Sequence, residues 1–129
     1  MLNVRLKACV FGDSTIPDGI YDVYAIEFAE ETVYIKYRDE IIDLDDKFTL
    51  LSFSGLYDSF DTEIFEGDCL ELTDSAGDSI RAYVRFGYGS FFLNKDGYDL
   101  NDIDIRKTIM NSSRVKVVGN IYLNPELRK

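Results

Sequence analysis

Carboxylate side chains supply most of the reactive chemistry in this sequence. Its 129 residues include 24 Asp and Glu, 14 Lys and Arg and no His, so the formal net charge is −10. Closely spaced aspartates form a candidate acidic interaction surface, which comprises Asp43, Asp45, Asp46, Asp96, Asp99, Asp102 and Asp104. Clustered carboxylates can bind divalent cations and paired carboxylates can hydrolyse glycosides, so we consider both chemistries.

The aspartates around Gly97 do not fit the EF-hand pattern. A loop with Gly97 at its sixth position places Phe92 first and Ile103 twelfth, where oxygen ligands belong. The lack of His also excludes His-ligated zinc. We therefore predict no metal site, although a looser Ca²⁺ or Mg²⁺ site stays open.

No carboxylate pair has the surroundings of a hydrolase. Asp74 and Asp78 flank one turn, but the chain has no Trp to bind a sugar ring, and Asp58 with Asp61 is no better placed. Ser-His and Cys-His catalytic pairs are excluded by the absence of His. The sequence predicts that the protein is not an enzyme, with no catalytic residue and no cofactor.

An aromatic stretch raises base stacking as an alternative. Its aromatic residues are Tyr83, Phe86, Tyr88, Phe91 and Phe92, and Arg81 and Arg85 lie among them. Such residues can stack single-stranded bases, but alternating aromatics in hairpins more often fill a core. The strong acidity argues against a broad basic face for phosphates. We therefore predict no direct binding of nucleic acid.

Cysteine usage and the absence of a targeting segment predict a cytoplasmic protein. Cys9 and Cys69 are interpreted as reduced residues, each within or beside a strand, because one bridge is weak support for a secreted scaffold. The first residues lack a basic region followed by an apolar run, as a signal peptide requires. No window approaches the roughly 18–20 apolar residues that span a bilayer, so no membrane association is predicted.

Short alternating segments predict a mainly β fold. The composition is 46% hydrophobic and 14% aromatic, and turn signals recur between the apolar runs. The predicted strands cover 2–10, 20–28, 33–37, 41–44, 48–53, 68–73, 79–86, 90–94 and 115–118. One short helix is predicted around 101–111, and the stretch 25–31 could form one helical turn instead of a strand. This pattern favours a sandwich or a small barrel.

The length predicts a single domain over 1–129. Within it, an N-terminal meander of about 1–53 is expected to pack on a barrel-like half of about 54–129. A free strand edge, for example at Leu2 to Val10, leaves a homo-oligomer open.

Three blocks carry a family resemblance. They are Leu51-Ser52-Phe53-Ser54-Gly55-Leu56-Tyr57-Asp58, Glu63-Ile64-Phe65-Glu66-Gly67-Asp68, and Val117-Val118-Gly119-Asn120-Ile121-Tyr122-Leu123-Asn124-Pro125-Glu126-Leu127. In this order and spacing the chain resembles the YopX family of phage and prophage proteins. The resemblance implies a small, partly open SH3-like barrel and residence in a bacterial host cell, but no reaction. The chain departs from the family in lacking Trp and in having Ser54 where Thr is usual.

Six residues of these blocks are predicted to be fold determinants. Gly67 can adopt a positive φ and Asp68 can accept main-chain N–H bonds in a tight turn. Gly55 is expected in the turn between the two halves, Gly119 and Asn120 at a bulge, and Pro125 after the last strand.

Two functions from different classes remain open. One is a non-enzymatic accessory protein of phage or prophage type that binds a protein partner. The other is an acidic mimic of nucleic acid that inhibits a nucleic-acid-binding protein of the host, because clustered carboxylates can imitate phosphates. A net charge of −10 can also simply keep a small domain soluble.

Overall fold

The predicted mainly β fold with one short helix is confirmed. The computed structural model describes residues 5–13, 15–44, 48–87, 90–95, 98–100 and 105–128, with the backbone alone at 98–100 and 128. The strands in these residues are β1 (Leu6–Val10), β2 (Gly19–Glu27), β3 (Thr32–Tyr37), β4 (Glu40–Leu44), β5 (Phe48–Tyr57), β6 (Glu63–Phe65), β7 (Asp68–Thr73), β8 (Ser79–Gly87), β9 (Ser90–Lys95), β10 (Tyr98–Leu100) and β11 (Arg114–Asn120). Helix α1 spans Ile105–Asn111, and a 3₁₀ helix spans Pro125–Arg128. Among the described residues, no helix is long and apolar enough to cross a membrane.

The chain divides into two compact units, Met1–Ser52 and Phe53–Lys129. This boundary lies one residue before the division expected from the sequence. That the two units act as one domain stays a prediction.

The first unit is an antiparallel sheet with strand order β4-β3-β2-β1-β5. Its core comprises Ala8, Val10, Ile16, Val33, Ile35 and Leu44. The alternation of residues 2–10 is typical of a half-buried strand with Cys9 on its polar side. For β1 this expectation is wrong, and so is the expectation of a free edge there. Ala8, Cys9 and Val10 are all 0% exposed, because β1 lies inside the sheet between β2 and β5 and both of its faces are covered.

The second unit contains an antiparallel sheet with strand order β10-β9-β8-β7-β11. Its core lies on one face of this sheet and comprises Ile64, Leu70, Leu72, Ala82, Val84, Leu93, Ile105 and Val115. The end of β5 also belongs to this unit, where it pairs with β6. Both strand orders are open, so the described strands form no closed barrel.

Several local predictions are corrected. Residues 25–27 continue strand β2, so the alternative of a helical turn at 25–31 is wrong there. The short strands β6 and β10 were not predicted, because three-residue strands carry too little alternation to recognise. Helix α1 begins at Ile105 among the described residues, and residues 101–104 of the predicted helix lie outside them.

Both cysteines are free and buried within strands, as expected, with Cys9 in β1 and Cys69 in β7. Burial, and secondarily the charge of Asp18, raises the pKa of Cys9 to about 11. Burial also raises the pKa of Cys69, in opposition to the positive charge of Arg81. Both thiols are therefore protonated at neutral pH.

Candidate functional site

A short loop between β5 and β6 combines a buried charge with exposed aromatic side chains. We call residues 57–62 the aromatic loop. Its centre is Asp58, whose Oδ1 accepts hydrogen bonds from the main-chain N–H groups of Phe60 (2.8 Å) and Thr62 (2.9 Å). The main-chain N–H of Asp58 donates to the carbonyl of Thr62 at 2.9 Å and closes the loop. An Asp side chain that accepts from residues two and four positions later fixes a tight turn.

Asp58 also binds a distant strand. Its Oδ2 accepts a hydrogen bond from the main-chain N–H of Val117 in β11 at 3.0 Å. Asp58 is only 7% exposed, and burial alone would raise its pKa. The three main-chain donors and the side chain of Thr62 together outweigh burial and hold the pKa of Asp58 below its ordinary value. The ionised carboxylate is thus part of the folded loop.

The aromatic loop covers the outer edge of β11. The N–H of Ser59 donates to the carbonyl of Val115 at 2.9 Å, and the N–H of Val115 donates to Ser59 Oγ at 2.8 Å. Together with the bond from Val117 to Asp58, these contacts occupy main-chain groups that an edge strand otherwise leaves open. The loop therefore has a defined position on the sheet of the second unit.

Two aromatic side chains of this fixed loop face solvent. Phe60 is 60% exposed and Tyr57 is 51% exposed. The Tyr57 ring meets the ring of Phe53 edge-on at 5.7 Å between centroids, and Phe53 contacts the buried ring of Phe65 at 5.3 Å. Asp61 has a φ of 63°, a left-handed conformation that is uncommon for a residue other than glycine. Exposed rings on a constrained backbone are a typical surface for a protein partner.

The resemblance blocks meet in a second cluster, which is structural. Asp68 is 7% exposed, and its Oδ2 accepts from the N–H of Phe65 at 2.8 Å while its Oδ1 accepts from Asn120 Nδ2 at 3.0 Å. Asn120 Nδ2 also donates to the carbonyl of Glu66, and the N–H of Ile121 donates to the carbonyl of Gly67. We call this arrangement of Glu66–Asp68 with Gly119–Tyr122 the clasp.

Gly67 lies where no side chain fits. Its φ is 86°, and a Cβ there would come within 2.6 Å of the Tyr122 ring and 3.1 Å of Asn120 Nδ2. At Gly119 a Cβ would come within 2.6 Å of Leu127 Cδ1. Glycine at these two positions therefore lets the blocks pack closely.

Other predicted fold determinants differ in detail from expectation. Gly55, with a φ of 83°, lies inside β5 at the register shift between Phe53 and Leu56, so it bends a strand instead of ending one. The register of β11 shifts between Val117 and Gly119, where a bulge was expected. Strand β11 ends at Asn120, so Pro125 lies after the last strand but does not itself end it. Pro125 begins the 3₁₀ helix.

Most of the candidate acidic surface lies outside the described residues. Asp43 is exposed in β4. The backbone of Asp99 pairs with Asn94 in β10, and its side chain lies outside the described part. Asp45, Asp46, Asp96, Asp102 and Asp104 also lie outside the described residues. Among the described residues there is no group of three or more potential metal-binding side chains.

The aromatic stretch of β8 and β9 does not form one platform. The register places Tyr83, Arg85 and Phe92 on the outer face of the sheet, whereas Phe86 and Phe91 lie on the opposite, core-facing side. The Phe86 and Phe91 rings contact each other at 4.8 Å between centroids. Tyr88 lies outside the described residues. These aromatics therefore do not present a continuous stacking surface.

Asp74 and Asp78, which were considered as a hydrolytic pair, line an open cleft of about 350 Å³ together with Thr108 and Asn111. Asp74 Oδ1 accepts from the N–H groups of Ala76 and Asp78, both at 2.9 Å. Asp74 therefore stabilises its own turn.

In the sequence, Asp58 belongs to a nominal hydrolytic pair and ends a resemblance block, and the aromatic loop was not predicted. The local signal was present, since Asp58 lies between two aromatic residues and precedes Thr62 by four positions. The bond to Val117 spans 59 residues and leaves no local signal.

Comparisons with known proteins agree with the fold. The family model described as "YopX protein" matches residues 13–129. No curated protein sequence matches the chain. A solved structure, described as "Crystal structure of protein EF1440 from Enterococcus faecalis", is similar with a TM-score of 0.64 and 19% identity, over 100% of this chain and 100% of that chain. At this identity the likeness concerns the fold alone.

Proposed function

The chain belongs to the YopX family, and from this premise we propose that it is a protein-binding module without enzymatic activity, an accessory protein of phage or prophage type. The partner is a protein of the bacterial host cytoplasm. The observation that carries the proposal is the exposure of Tyr57 and Phe60 on a loop whose backbone is fixed by Asp58.

The physical support comes from the energetics of interfaces. A few central side chains, often aromatic, supply most of the binding energy of a protein interface. A loop that is already ordered loses less conformational entropy on binding than a loop that must fold against its partner. Phe60 and Tyr57 meet both conditions, because hydrogen bonds of Asp58 and Ser59 hold the backbone that carries them.

The absence of catalysis is part of the proposal. In the described part of the second unit, the carboxylates of Asp58 and Asp68 are buried, and both accept hydrogen bonds from main-chain N–H groups. Such groups stabilise a fold and are poorly placed to exchange protons with a substrate.

Two finer interpretations stay predictions. The SH3-like description of the second unit rests on the family resemblance. The acidic mimic requires one continuous negative face, whereas Arg81, Arg114 and Lys116 surround Glu71 on the outer face of the second sheet. We therefore favour the aromatic loop as the binding surface.

The experiment compares one substitution in the loop with one outside it. We expect Phe60→Ser to abolish capture of a host protein from a bacterial lysate, because it removes the more exposed of the two aromatic rings of the loop. Phe28→Ser is the matched control, since Phe28 is 82% exposed and lies in the first unit. Wild type and Phe28→Ser should retain the same protein at low and high salt.

Equal capture by all three proteins would contradict the proposal, as would capture of nothing by the wild type. If capture of the host protein decreases steeply with salt but is unchanged by Phe60→Ser, the result would support the acidic mimic instead. Circular dichroism of each variant checks that the fold is kept.

A further inference from the structure

Strand β4 forms the outer edge of the first unit. It ends the strand order, and among the described strands it pairs with β3 alone. A two-residue turn of Arg38 and Asp39, with φ values of 51° and 66°, joins Tyr37 directly to Glu40. In such a hairpin the residues that flank the turn exchange both hydrogen bonds, and the bonding then alternates along the strand.

This alternation decides which main-chain groups of β4 point outward. Ile42 and Leu44 lie opposite Ile35 and Val33 at positions that bond to β3. The N–H and C=O groups of Ile41 and Asp43 therefore point away from the sheet. Unlike the edge of β11, which the aromatic loop covers, this edge has no strand or loop bonded along it among the described residues.

The side chains of β4 do little to prevent strand addition. Edge strands are commonly protected by Pro, by charged side chains such as Lys, or by a bulge. Strand β4 reads Glu-Ile-Ile-Asp-Leu with an uninterrupted register to β3, so its own protection is limited to the carboxylates of Glu40 and Asp43. Ile41 is 53% exposed, and half-buried Ile42 packs at the margin of the core.

The edge is complementary to a second copy of itself in one register. Two antiparallel copies related by a two-fold axis can exchange main-chain hydrogen bonds only where outward-facing residues of the two strands lie opposite each other. Outward-facing residues occur at every second position, so this happens only when the axis passes through a residue and not between two residues. An axis at Asp43 places Asp43 opposite the partner's Asp43, and an axis at Ile41 places Asp43 opposite the partner's Asp39. Both registers set carboxylates against each other, which is destabilising.

An axis at Ile42 avoids this repulsion. It places Ile41 opposite the partner's Asp43 on both sides of the axis, so four main-chain hydrogen bonds form. Ile42 then contacts the partner's Ile42 on the core side of the sheet and extends the apolar face of each copy. We propose that the chain forms a two-fold dimer by antiparallel pairing of β4 with β4 of a second copy, centred on Ile42.

Sedimentation equilibrium tests the dimer. The mean mass of the wild type should rise above 14.8 kDa as its concentration increases. Asp43→Pro removes one N–H per copy, and no bond to β3 is lost because this N–H points away from β3. Pro is tolerated at such a position of an edge strand. We expect it to weaken dimerisation at least about tenfold relative to Asp43→Ala, the matched control, which loses the same carboxylate but keeps the N–H.

Hydrogen exchange provides a second readout that needs no variant. In the wild type, exchange of the Ile41 and Asp43 amides should slow with increasing protein concentration, while the Ile42 amide, which bonds to β3, should not change. A mass of 14.8 kDa at every concentration overturns the proposal. Equal dimerisation of the Pro and Ala variants, or exchange at Ile41 and Asp43 that is independent of concentration, also overturns it.

Discussion

Asp58 combines three roles in one side chain. It closes the aromatic loop through Phe60 and Thr62, joins that loop to β11 through Val117, and remains ionised in a nearly buried position. An ionised acceptor strengthens each of these hydrogen bonds relative to a neutral one. The stability of the second unit should therefore depend on the charge of this carboxylate.

We expect that dependence to appear as acid sensitivity. The pKa of Asp58 is lowered by folding, so its contribution is fully present above the unfolded-state value of about 3.9 and is lost as the pH falls through the lower folded-state value. Asp58→Ala should lower the free energy of unfolding by about 2–3 kcal/mol at pH 7, because it leaves main-chain donors of the loop without their acceptor.

Urea denaturation at neutral and acidic pH measures both effects. The difference between wild type and Asp58→Ala should shrink as the pH falls below about 3.9. Asp61→Asn is a control for loss of an exposed carboxylate in the same loop, because Asn also tolerates the left-handed backbone of this residue. A difference that is constant with pH would show that the charge of Asp58 does not stabilise the fold.

At the scale of elements, the clasp joins the turn before β7 to the end of β11. Asp68 and Asn120 hydrogen bond across 52 residues of sequence, and Gly67 admits the Tyr122 ring. These residues belong to the blocks on which the family resemblance rests. The resemblance blocks thus contain the residues that let the turn before β7 pack against the end of β11.

The clasp predicts a specific cost for a methyl group at Gly67. Gly67→Ala combines a strained φ of 86° with a contact of 2.6 Å to Tyr122, whereas Gly77→Ala has a similar φ of 90° and nothing within 4 Å. We expect Gly67→Ala to lower the free energy of unfolding by about 1–3 kcal/mol more than Gly77→Ala does, because overpacking adds to backbone strain. Chemical denaturation of both variants gives this difference, and equal losses would refute close packing in the clasp.

At the scale of the whole molecule, the chain has two compact units with one buried cysteine in each. Cys9 lies in the first unit and Cys69 in the second. Burial keeps both thiols protonated at neutral pH, and the thiolate is the reactive form. Each cysteine therefore reports the opening of its own unit.

We expect the two cysteines to become reactive together. If the chain is one domain, labelling of Cys9 and Cys69 by a thiol reagent should show the same midpoint in urea, because a single domain unfolds cooperatively. Mass spectrometry of labelled peptides separates the two sites, and Cys9→Ser and Cys69→Ser check each assignment. Separate midpoints would mean two domains that unfold independently.

The sequence by itself determined the mainly β class, most strand positions and the burial of one strand face. These features follow from local alternation, as in Val33 and Ile35 of β3, which points successive side chains to opposite faces. The family resemblance also lay in contiguous residues. Both the strand pattern and the resemblance can be recognised without knowing which residues far apart in sequence contact each other.

Only the tertiary structure decided which polar residues are functional candidates and which are structural. Asp58, Asp68 and Asp43 look alike in sequence, yet two are buried acceptors and one is exposed on the edge strand β4, which no described strand pairs on its outer side. The partners of the buried pair lie 59 and 52 residues away. A carboxylate takes its role from the donors that surround it, and those donors come together only when the chain folds.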